Sequence, residues 1–443
     1  MSKVYKTHDY GNIPIQEIED KDFCNFSQIA NLTIRELCKK QNAHLLICPP
    51  QLDTYKDNLA DNYIFTFDEQ NLYTGDLLGF IGKNDSQLTI GTRFSKNSSE
   101  DYFLHYMLQK VFKINLLDLK HSTSEEKIFD FLIYMFPFYL KRALRQGLYK
   151  KYNHKNYNDA NVRGTINIPQ HIKCNIPFSG NIAYKVKEYA CDNDLTQLIR
   201  HTIEYIRSST MASILKVDAD TEAYVSQICN ATPSYCRHAL NNVIAKNLKS
   251  IYHPYYTEYR ALQNLCINIL KYKKLKYGLD DNRIYGLLFS GSWLWEEFLY
   301  KTILSKCGFL HPQNRSGKGG VYLFDKSSAD MLMSRCKRYP DYFKDNCILD
   351  AKYKRLDNNR IDRNDMHQII SYMYVEKAGI GGFIYPTSEE DIKVTQLGNL
   401  RGYGGLIYNI GVPIPQEDGT FAMFVAKMKN VQQKLKEKIS ALY

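Results

Sequence analysis

Two carboxylates and a lysine in the last third of the chain have a spacing that suits hydrolysis with a divalent metal ion. Asp341 ends a Tyr-Pro-Asp tripeptide, and after eight further residues comes the tripeptide Asp350-Ala351-Lys352. Mg²⁺ prefers hard oxygen ligands, so the two carboxylates and the carbonyl of Ala351 would suit it, with Mn²⁺ as a possible substitute. A bound ion of this kind activates a water molecule for attack on a phosphodiester. Lys352 would orient that water or offset charge on the phosphoryl oxygens.

The residues around Lys352 predict the strand that positions this group. Cys347–Tyr353 is apolar and then alternates, which indicates a half-buried strand. Since residues two apart share one face of a strand, Asp350 and Lys352 would point the same way, with Ala351 turned to the core. Asp341 would lie on the neighbouring strand or at the turn before it. The alternative is an exposed strand with ordinary salt bridges, since Asp-x-Lys recurs by chance in a chain with 58 Lys and Arg and 47 Asp and Glu.

Helical patterns flank this strand on both sides. Downstream, Asp365–Tyr374 has apolar residues at helical spacing, and Gln368 and Tyr372 are four apart on one face. Upstream, Trp293–Tyr300 has the pattern of a buried amphipathic helix that carries two adjacent glutamates. Ordinary polar residues at a helix edge are the alternative interpretation of all these side chains.

Composition limits the classes of protein to which the chain can belong. The net charge of +11 suits a polyanionic partner. The 11 cysteines are scattered without a C-x-x-C pair or zinc spacing, which favours reduced thiols in the cytoplasm. The first residues lack a signal-peptide pattern, and the most apolar run, residues 131–140, is too short for a membrane span. The sequence contains no Walker loop, so we expect this chain to bind no nucleotide.

The chain is predicted to divide into three parts, in a multidomain architecture of α/β and α+β type. The parts are residues 1–118, a mixed α/β domain; residues 119–285, a mostly helical domain; and residues 286–443, an α/β core. A hairpin is expected in the first part, between Leu77–Gly82 and Gln87–Phe94. The polar and basic segment Lys271–Gly278 is the best candidate for a linker.

Together these segments resemble the PD-(D/E)xK nuclease superfamily and, within it, the McrC family of McrB–McrC modification-dependent restriction systems. Tyr339–Asp341 and Asp350–Lys354 fit the catalytic segments of that family. Ala143–Tyr152 followed by Val162–Ile166 is similar to its "GL…Y … RG.I" region, and Leu294–Phe298 resembles its Leu-Phe-Glu-x-Phe helix. The likeness covers most of the chain and is vaguest in the N-terminal part.

The resemblance implies a fold and roles for further residues. The third part would have a restriction-endonuclease-like core in which Asp341, Asp350 and Lys352 are catalytic. Glu296, which matches the family helix better than Glu297, would be an additional catalytic acid. A Gln-x-x-x-Tyr pair after the lysine strand is a feature of the RecB-like branch of the superfamily, where it would hold the nucleic-acid backbone.

The resemblance also implies partners. An AAA+ GTPase ring similar to McrB would bind the N-terminal domain, which would stimulate its GTP hydrolysis, and double-stranded, modified DNA would be the substrate. The expected protein is a magnesium-dependent endonuclease subunit of an anti-phage restriction complex. Two alternatives stay open. One is an autonomous restriction endonuclease without a motor, and the other is a non-catalytic activator of an AAA+ ring, although an intact Asp341, Asp350 and Lys352 argue against the latter.

Overall fold

The fold was obtained as a computed structural model of the chain. The residues that it describes are 3–40, 43–49, 59–84, 86–95, 101–112, 124–249, 251–275, 284–312, 320–324, 337–356, 361–402, 404–416 and 419–442.

The described residues form a mixture of strands and helices. The strands are β1 Lys3–His8, β2 Asn12–Pro14, β3 Ala43–Cys48, β4 Phe65–Phe67, β5 Asn71–Thr74, β6 Leu77–Lys83, β7 Ser86–Gly91, β8 Lys151–Asp159, β9 Thr165–Ile166, β10 Ile182–Ala190, β11 Ile284–Ser290, β12 Val321–Tyr322, β13 Lys337–Arg338, β14 Tyr342–Lys344, β15 Cys347–Ala351, β16 Ile380–Thr387, β17 Lys393–Asn399 and β18 Leu406–Pro413. The helices are α1 Asp20–Ser27, α2 Ile34–Lys39, α3 Tyr102–Phe112, α4 Ser124–Leu144, α5 Ile168–Cys174, α6 Asp194–Arg207, α7 Ala219–Ala231, α8 Leu240–Lys246, α9 Tyr259–Leu275, α10 Gly291–Thr302, α11 Arg363–Glu376 and α12 Phe421–Ser440.

The chain folds as two compact units. One contains residues 1–116 together with residues 281–443, and the other contains residues 117–280. The three parts predicted from the sequence differ from this division, because the first and third parts share one unit. The physical link is β11, which follows the middle part and pairs with β6 and β3 of the N-terminal part.

The N-terminal part of the first unit is built on a five-stranded sheet with the order β1-β7-β6-β11-β3. β6 and β7 form the predicted hairpin, and their backbones pair as far as Lys83 and Ser86. The turn is therefore tighter than predicted, and Asn84 within it adopts the left-handed conformation, with φ of 52°. Phe26 and Ile34 from the helices pack with Leu88 of the sheet in a closed apolar core.

The C-terminal part of the same unit is a second five-stranded sheet, with the order β14-β15-β16-β18-β17. β15, β16 and β18 run parallel, and antiparallel strands β14 and β17 form the two edges. α11 covers β15 and β16, where Ile369 and Met373 pack against Ile348 and Phe383. Burial of each such side chain stabilises the fold by about 1.5–3 kcal/mol. A sheet with this helical cover confirms the mixed α/β architecture.

The two helices predicted beside the lysine strand are both present. Ser290 caps α10 by accepting a hydrogen bond from the N–H of Trp293. Leu294 and Phe298 are buried on one face of α10, as the amphipathic pattern predicts. Asp362 caps α11, which ends where Lys377 adopts the left-handed conformation. These two helices place the predicted glutamates and the Gln-x-x-x-Tyr pair.

The second unit combines helices with a small sheet. α6 packs against α9 and α8, and Asn193 caps it by accepting hydrogen bonds from the N–H groups of Leu195 and Thr196. β8, β10 and β9 form a three-stranded antiparallel sheet, and the prediction of a mostly helical part did not include its two longer strands, β8 and β10. The reason is that β8 has few apolar residues, so its sequence lacks the alternation of a half-buried strand.

The predicted linker is only partly described. Lys271–Leu275 belongs to α9 and is therefore helical, which contradicts the prediction for these residues. The remainder of the predicted linker lies outside the described residues. Of the helices that the structure describes, none has the length and apolar character required to cross a bilayer.

Candidate active site

Asp341 and Asp350 lie opposite each other at the end of a two-stranded ladder. β14 and β15 are antiparallel, with Tyr342 opposite Leu349. Because Asp341 directly precedes β14, the same register places it opposite Asp350, the next residue of β15. Opposed residues of an antiparallel pair project to the same face, with Cβ atoms about 4.5–5.5 Å apart. The structure thus brings the two predicted carboxylates together.

The backbone of Ala351 faces the same edge of the sheet. Its N–H donates a hydrogen bond of 2.7 Å to Oδ2 of Asp341. The N–H of Lys352 points the other way and donates to the carbonyl of Ile384 on β16, at 2.9 Å. Since the N–H and C=O of one strand residue point to the same side, the carbonyl of Ala351 is directed toward Asp341. The side chain of Ala351 is half-buried, so its expected core position is only partly realised.

Lys352 is held among carboxylates on the predicted face. Its Nζ lies 2.6 Å from Oδ2 of Asp350, which is 2% exposed, and 2.9 Å from Oδ1 of Asp365. Asp365 also contacts Lys354, whose Nζ lies 2.5 Å from its Oδ2. The alternation predicted for this strand is therefore realised at Asp350 and Lys352. The ammonium group is fixed between two acids rather than exposed at a surface.

Gln368 and Tyr372 join Lys352 to the segment before Asp341. Nζ of Lys352 donates to Oε1 of Gln368 at 3.3 Å, and Nε2 of Gln368 donates to the hydroxyl of Tyr372 at 2.9 Å. That hydroxyl donates in turn to the carbonyl of Tyr339, at 3.2 Å. Tyr372 is 5% exposed, so the contacts that the structure describes for it are internal. The shared helical face predicted for the pair is confirmed by their hydrogen bond.

The two glutamates of α10 have different surroundings. Oε2 of Glu297 lies 3.1 Å from Nζ of Lys301, and its Oε1 lies 3.7 Å from Nε2 of His311. Oε1 of Glu296 lies 3.5 Å from the same nitrogen of His311. Glu296 also contributes to the electrostatic field at Asp341. Of the two glutamates, Glu296 is therefore the one whose charge helps to raise the pKa of Asp341.

Burial and crowding of charge perturb the titration of this group. Burial, together with the charges of Asp350 and Glu296, raises the pKa of Asp341 well above its usual value. Burial also raises the pKa of Asp350, although Lys352 opposes the shift. Burial acts to lower the pKa of Lys352, but the charge of Asp350 outweighs it and raises that pKa. The site thus holds more negative charge than one lysine compensates.

Glu297 and His311 form a separate pair within this charge cluster. Burial acts to raise the pKa of Glu297, but its contact with His311 and the charge of Lys301 lower it to about 2. For His311, burial acts to lower the pKa, whereas Glu297 and Glu296 raise it above the ordinary value. Glu297 is accordingly the more strongly compensated of the two glutamates.

The donor set would suit Mg²⁺, or Mn²⁺ in its place, better than a metal ion that prefers nitrogen or sulfur ligands. Among the residues that the structure describes, no three His, Cys, Asp or Glu side chains converge as a metal site. Mg²⁺ is commonly held by only one or two carboxylates, with waters completing its octahedron. Asp341, Asp350 and the carbonyl of Ala351 are such a set of hard oxygen donors. A divalent cation between the two acids would also offset the repulsion that raises the pKa of Asp341.

No role in the site was predicted from the sequence for three residues that contact it, namely His311, Lys354 and Asp365. Lys354 continues the two-residue spacing of Asp350 and Lys352 and so carried a usable signal. Asp365 has a weaker one, since it is an acid in the first turn of a helix. His311 stands in no recognisable motif, and only the fold places it here.

The chain matches the family model described as McrBC 5-methylcytosine restriction system component over residues 72–386. The chain belongs to this family. The matched range runs from β5 to β16 and includes every side chain of the site described above. Family membership confirms the resemblance to McrC proteins that the motifs indicated.

Two solved structures are similar to this member of the McrBC family. One is a half-complex from a tetradecameric assembly of Thermococcus gammatolerans McrB AAA+ hexamers with bound McrC, with 14% identity and a TM-score of 0.48, covering 97% of this chain and 100% of that chain. The other is the Thermococcus gammatolerans McrBC complex, with 13% identity and a TM-score of 0.33, covering 68% of this chain and 86% of that chain. No match is found among curated proteins.

Proposed function

We propose that this McrBC-family chain is the magnesium-dependent DNA endonuclease subunit of a modification-dependent restriction complex, with a PD-(D/E)xK core. The observation that carries the proposal is the register that sets Asp341 opposite Asp350. Nζ of Lys352 lies 2.6 Å from the second of these acids. Two opposed acids with an adjacent lysine on a sheet edge are the residue types that metal-assisted phosphodiester hydrolysis requires.

Each residue of the site has a role in this proposal. Asp341, Asp350 and the carbonyl of Ala351 would hold Mg²⁺, or Mn²⁺ in its place. When bound, the ion supplies Lewis-acid polarisation and lowers the pKa of water. Lys352 would direct its ammonium group at the attacking water or at the negative charge that develops on the phosphoryl oxygens. Glu296, beside Asp341, would act as an additional acid.

Gln368 and Tyr372 are proposed to position the DNA backbone. Gln368 is half-buried and contacts the Nζ of Lys352, so a phosphate held by its amide would lie beside the ammonium group. Tyr372 is buried, and its hydroxyl accepts from Gln368. We therefore assign the direct DNA contact to Gln368, with Tyr372 fixing its orientation.

The proposed partners are a McrB-like AAA+ GTPase ring and double-stranded, modified DNA. The net charge of +11 suits the polyanionic substrate. The sequence has no Walker loop, so nucleotide hydrolysis would belong to the ring. Recognition of the modified base would belong to the ring as well.

The part of the chain that contacts the ring is proposed to lie within residues 1–118. Deletion of this part is an unsuitable test, since β6 and β3 flank β11 in one sheet. Alanine at the exposed Tyr63 and Tyr73 is the better test, with the exposed Tyr252 of the other unit as the matched control. Loss of GTPase stimulation for the N-terminal variants would support the proposal. Loss for Tyr252→Ala alone would move the contact to the other unit.

Plasmid cleavage tests the main proposal. Methylated and unmethylated plasmid would be incubated with Mg²⁺ and the purified chain, alone and with the McrB-like protein plus GTP or ATP. Cleavage that needs partner and nucleotide, and that Asp350→Ala abolishes, is the expected result. Cleavage by the chain alone would favour an autonomous endonuclease. Stimulated nucleotide hydrolysis without cleavage would favour the non-catalytic activator.

A further inference from the structure

We propose that His311 is a positioning residue that holds Asp341 and Glu296 in one fixed arrangement. The inference rests on the proposed nuclease function for its activity readout, whereas its structural readout does not need that function. His311 belongs to no motif of the sequence analysis, and its side chain is 6% exposed. Burying a polar ring of this kind costs free energy unless its nitrogens have partners.

The two nitrogens of the ring reach two different elements. Nδ1 lies 2.7 Å from the carbonyl oxygen of Asp341, and because a carbonyl only accepts, Nδ1 must donate. Nε2 lies 3.5 Å from Oε1 of Glu296 and 3.7 Å from Oε1 of Glu297. One imidazole therefore spans from Asp341, the residue directly before β14, to the glutamates of α10.

Backbone bonds also fix the position of His311, independently of its side-chain contacts. The preceding residue, Leu310, forms a two-way backbone bridge with Phe343 of β14: the N–H of Leu310 donates at 2.8 Å, and the N–H of Phe343 donates at 3.0 Å. The register of this bridge sets His311 alongside the start of β14. The ring then packs between Tyr300 of α10 and Tyr342, with centroids 4.8 and 5.4 Å away.

A second hydrogen bond joins β14 to α10 and further fixes their relative position. The hydroxyl of Tyr342 donates to the backbone carbonyl of Glu296 at 2.7 Å. Tyr342 holds the backbone of α10, whereas His311 faces the glutamate side chains and the Asp341 carbonyl. Groups that orient metal ligands in this way typically change metal affinity or activity about 10–100-fold when they are replaced.

Two conservative variants separate the two contacts of the ring. In His311→Asn the amide nitrogen takes the place of Nδ1, so the bond to the Asp341 carbonyl remains and the contact with Glu296 is lost. In His311→Gln the amide nitrogen takes the place of Nε2, so the contact with Glu296 remains and the bond to Asp341 is lost. His201→Gln, at a buried histidine of the other unit, is the matched control.

Hydrogen exchange at the amide of Ala351 reports the position of Asp341 without any metal or DNA. This N–H donates to Oδ2 of Asp341, so displacement of the carboxylate removes its partner. We expect His311→Gln to exchange about tenfold faster at Ala351, the factor that follows from about 1.4 kcal/mol. His311→Asn and His201→Gln should exchange as the wild type does. In a Mn²⁺ titration, the affinity for the ion should be about 10–100-fold lower in His311→Gln, whereas His311→Asn and His201→Gln should bind it as the wild type does.

The cleavage assay adds the readout for Glu296. We expect His311→Asn to lower kcat with little change in Mn²⁺ affinity, because Asp341 stays in place while Glu296 loses its contact with His311. Equal exchange at Ala351 in both His311 variants and the wild type would overturn the inference. Unfolding of both variants at the assay temperature would also overturn it, since His311 would then be a determinant of stability. If the exchange rates at Ala351 differ between the variants as expected but the chain never cleaves DNA, the inference about His311 stands and the nuclease function is refuted.

Discussion

The backbone N–H of Ala351 donates a hydrogen bond of 2.7 Å to Oδ2 of Asp341. Asp341 lies one residue and Ala351 two residues beyond Tyr342 and Leu349, the last pair of β14 and β15, so the bond extends the ladder with a side chain in place of backbone. It turns one oxygen of Asp341 toward the strand on which Asp350 lies. The carbonyl of Ala351 is directed to the same side of β15 as this bond.

Replacement of Asp350 by asparagine should abolish cleavage without unfolding the protein. The amide would keep the shape of the buried side chain but remove the negative charge that binds the cation and pairs with Lys352. Lys352 keeps Asp365 at 2.9 Å, so the variant leaves no unpaired buried ammonium. We expect cleavage to fall by about 10²-fold or more and Tm to change by less than about 4 °C.

Supercoiled plasmid cleavage and calorimetry on the same preparations of Asp350→Asn measure the two effects. Asp345→Asn is the matched control, since Asp345 lies at the exposed turn between β14 and β15. Wild-type cleavage by Asp350→Asn would refute the site assignment. A large fall in Tm would show that the carboxylate serves the fold.

Gln368 and Tyr372 should differ in their kinetic effects. If Gln368 contacts the DNA backbone, Gln368→Ala raises KM for DNA and also lowers kcat, because Nζ of Lys352 loses one of its contacts. Tyr372→Phe removes only the hydroxyl that bonds Gln368 and the carbonyl of Tyr339, so kcat should fall by about tenfold, and KM should rise less than in Gln368→Ala because the Gln368 amide is still present. Steady-state cleavage of a labelled duplex separates the two parameters. Identical KM values for both variants and the wild type would exclude the proposed DNA contact.

Asp365 should be a positioning residue for Lys352. Its carboxylate bridges Lys352 and Lys354, at 2.9 and 2.5 Å. Asp365→Asn removes the charge that holds the ammonium in place, so we expect cleavage to fall by about 10–100-fold. Lys354→Met leaves the contact between Asp365 and Lys352 intact and should have a smaller effect. Rates measured at saturating DNA test this order, and a larger loss for Lys354→Met would reverse the assignment.

The sequence predicts those parts of the site that follow the periodicity of a single strand or helix. Alternation along a strand placed Asp350 and Lys352 on one face, and the helical period placed Gln368 beside Tyr372; both relationships are present. His311 could not be predicted, because its role arises from the bridge between Leu310 and a strand more than thirty residues away. No local period carries that information.

The grouping of the N- and C-terminal parts in one unit also lies beyond a local pattern. β11 is an apolar run, which is equally consistent with a strand in either sheet. Only its pairing with β6 and β3 shows that it completes the N-terminal sheet. β8 was missed for the opposite reason, since its polar sequence hides a strand that the partner β10 specifies. Strand pairing is a non-local property, and a single sequence reports it weakly.

Asp218 should make the stability of the second unit, residues 117–280, depend on pH in the acid range. It caps α7 by accepting from the N–H of Thr221, and Nζ of Lys141 lies 2.5 Å from its Oδ2. Although burial acts to raise the pKa, Lys141 and Thr221 lower it from 3.8 to about 2. Because the folded pKa is the lower one, this stability is fully present above the unfolded pKa and is lost as pH falls from about 4 toward about 2.

Two substitutions of Asp218 separate the cap from the ion pair. Asp218→Ala should destabilise by about 1 kcal/mol at neutral pH, since it removes the helix cap. Asp218→Asn keeps a good cap and loses only a partly exposed ion pair, which contributes less than about 1 kcal/mol. Urea unfolding with hydrogen exchange in α7 measures both. The difference in the free energy of unfolding between wild type and Asp218→Asn should become smaller from pH 5 to pH 3. A difference that grows over this range would contradict the lowered pKa of Asp218.

Gly291, the first residue of α10, should be intolerant of a side chain because of Tyr353. A Cβ at this position would lie 2.5 Å from Cε1 of the Tyr353 ring, and Tyr353 directly follows Lys352. Gly291→Ala must therefore displace either the start of α10 or the residue beside the ammonium group. Overpacking of this kind costs about 1–3 kcal/mol, so we expect both a lower Tm and slower cleavage.

Gly398→Ala is the control for this prediction. Gly398 lies in β17, and no atom is within 4 Å of the added Cβ, so alanine should leave Tm and cleavage close to wild type. A Tm for Gly291→Ala equal to that of the control would mean that Tyr353 yields without cost. Normal cleavage despite a lowered Tm would mean that α10 moves while Lys352 stays in place. If Tyr353 holds the start of α10 against the end of the lysine strand, Gly291→Ala should lower both Tm and the cleavage rate.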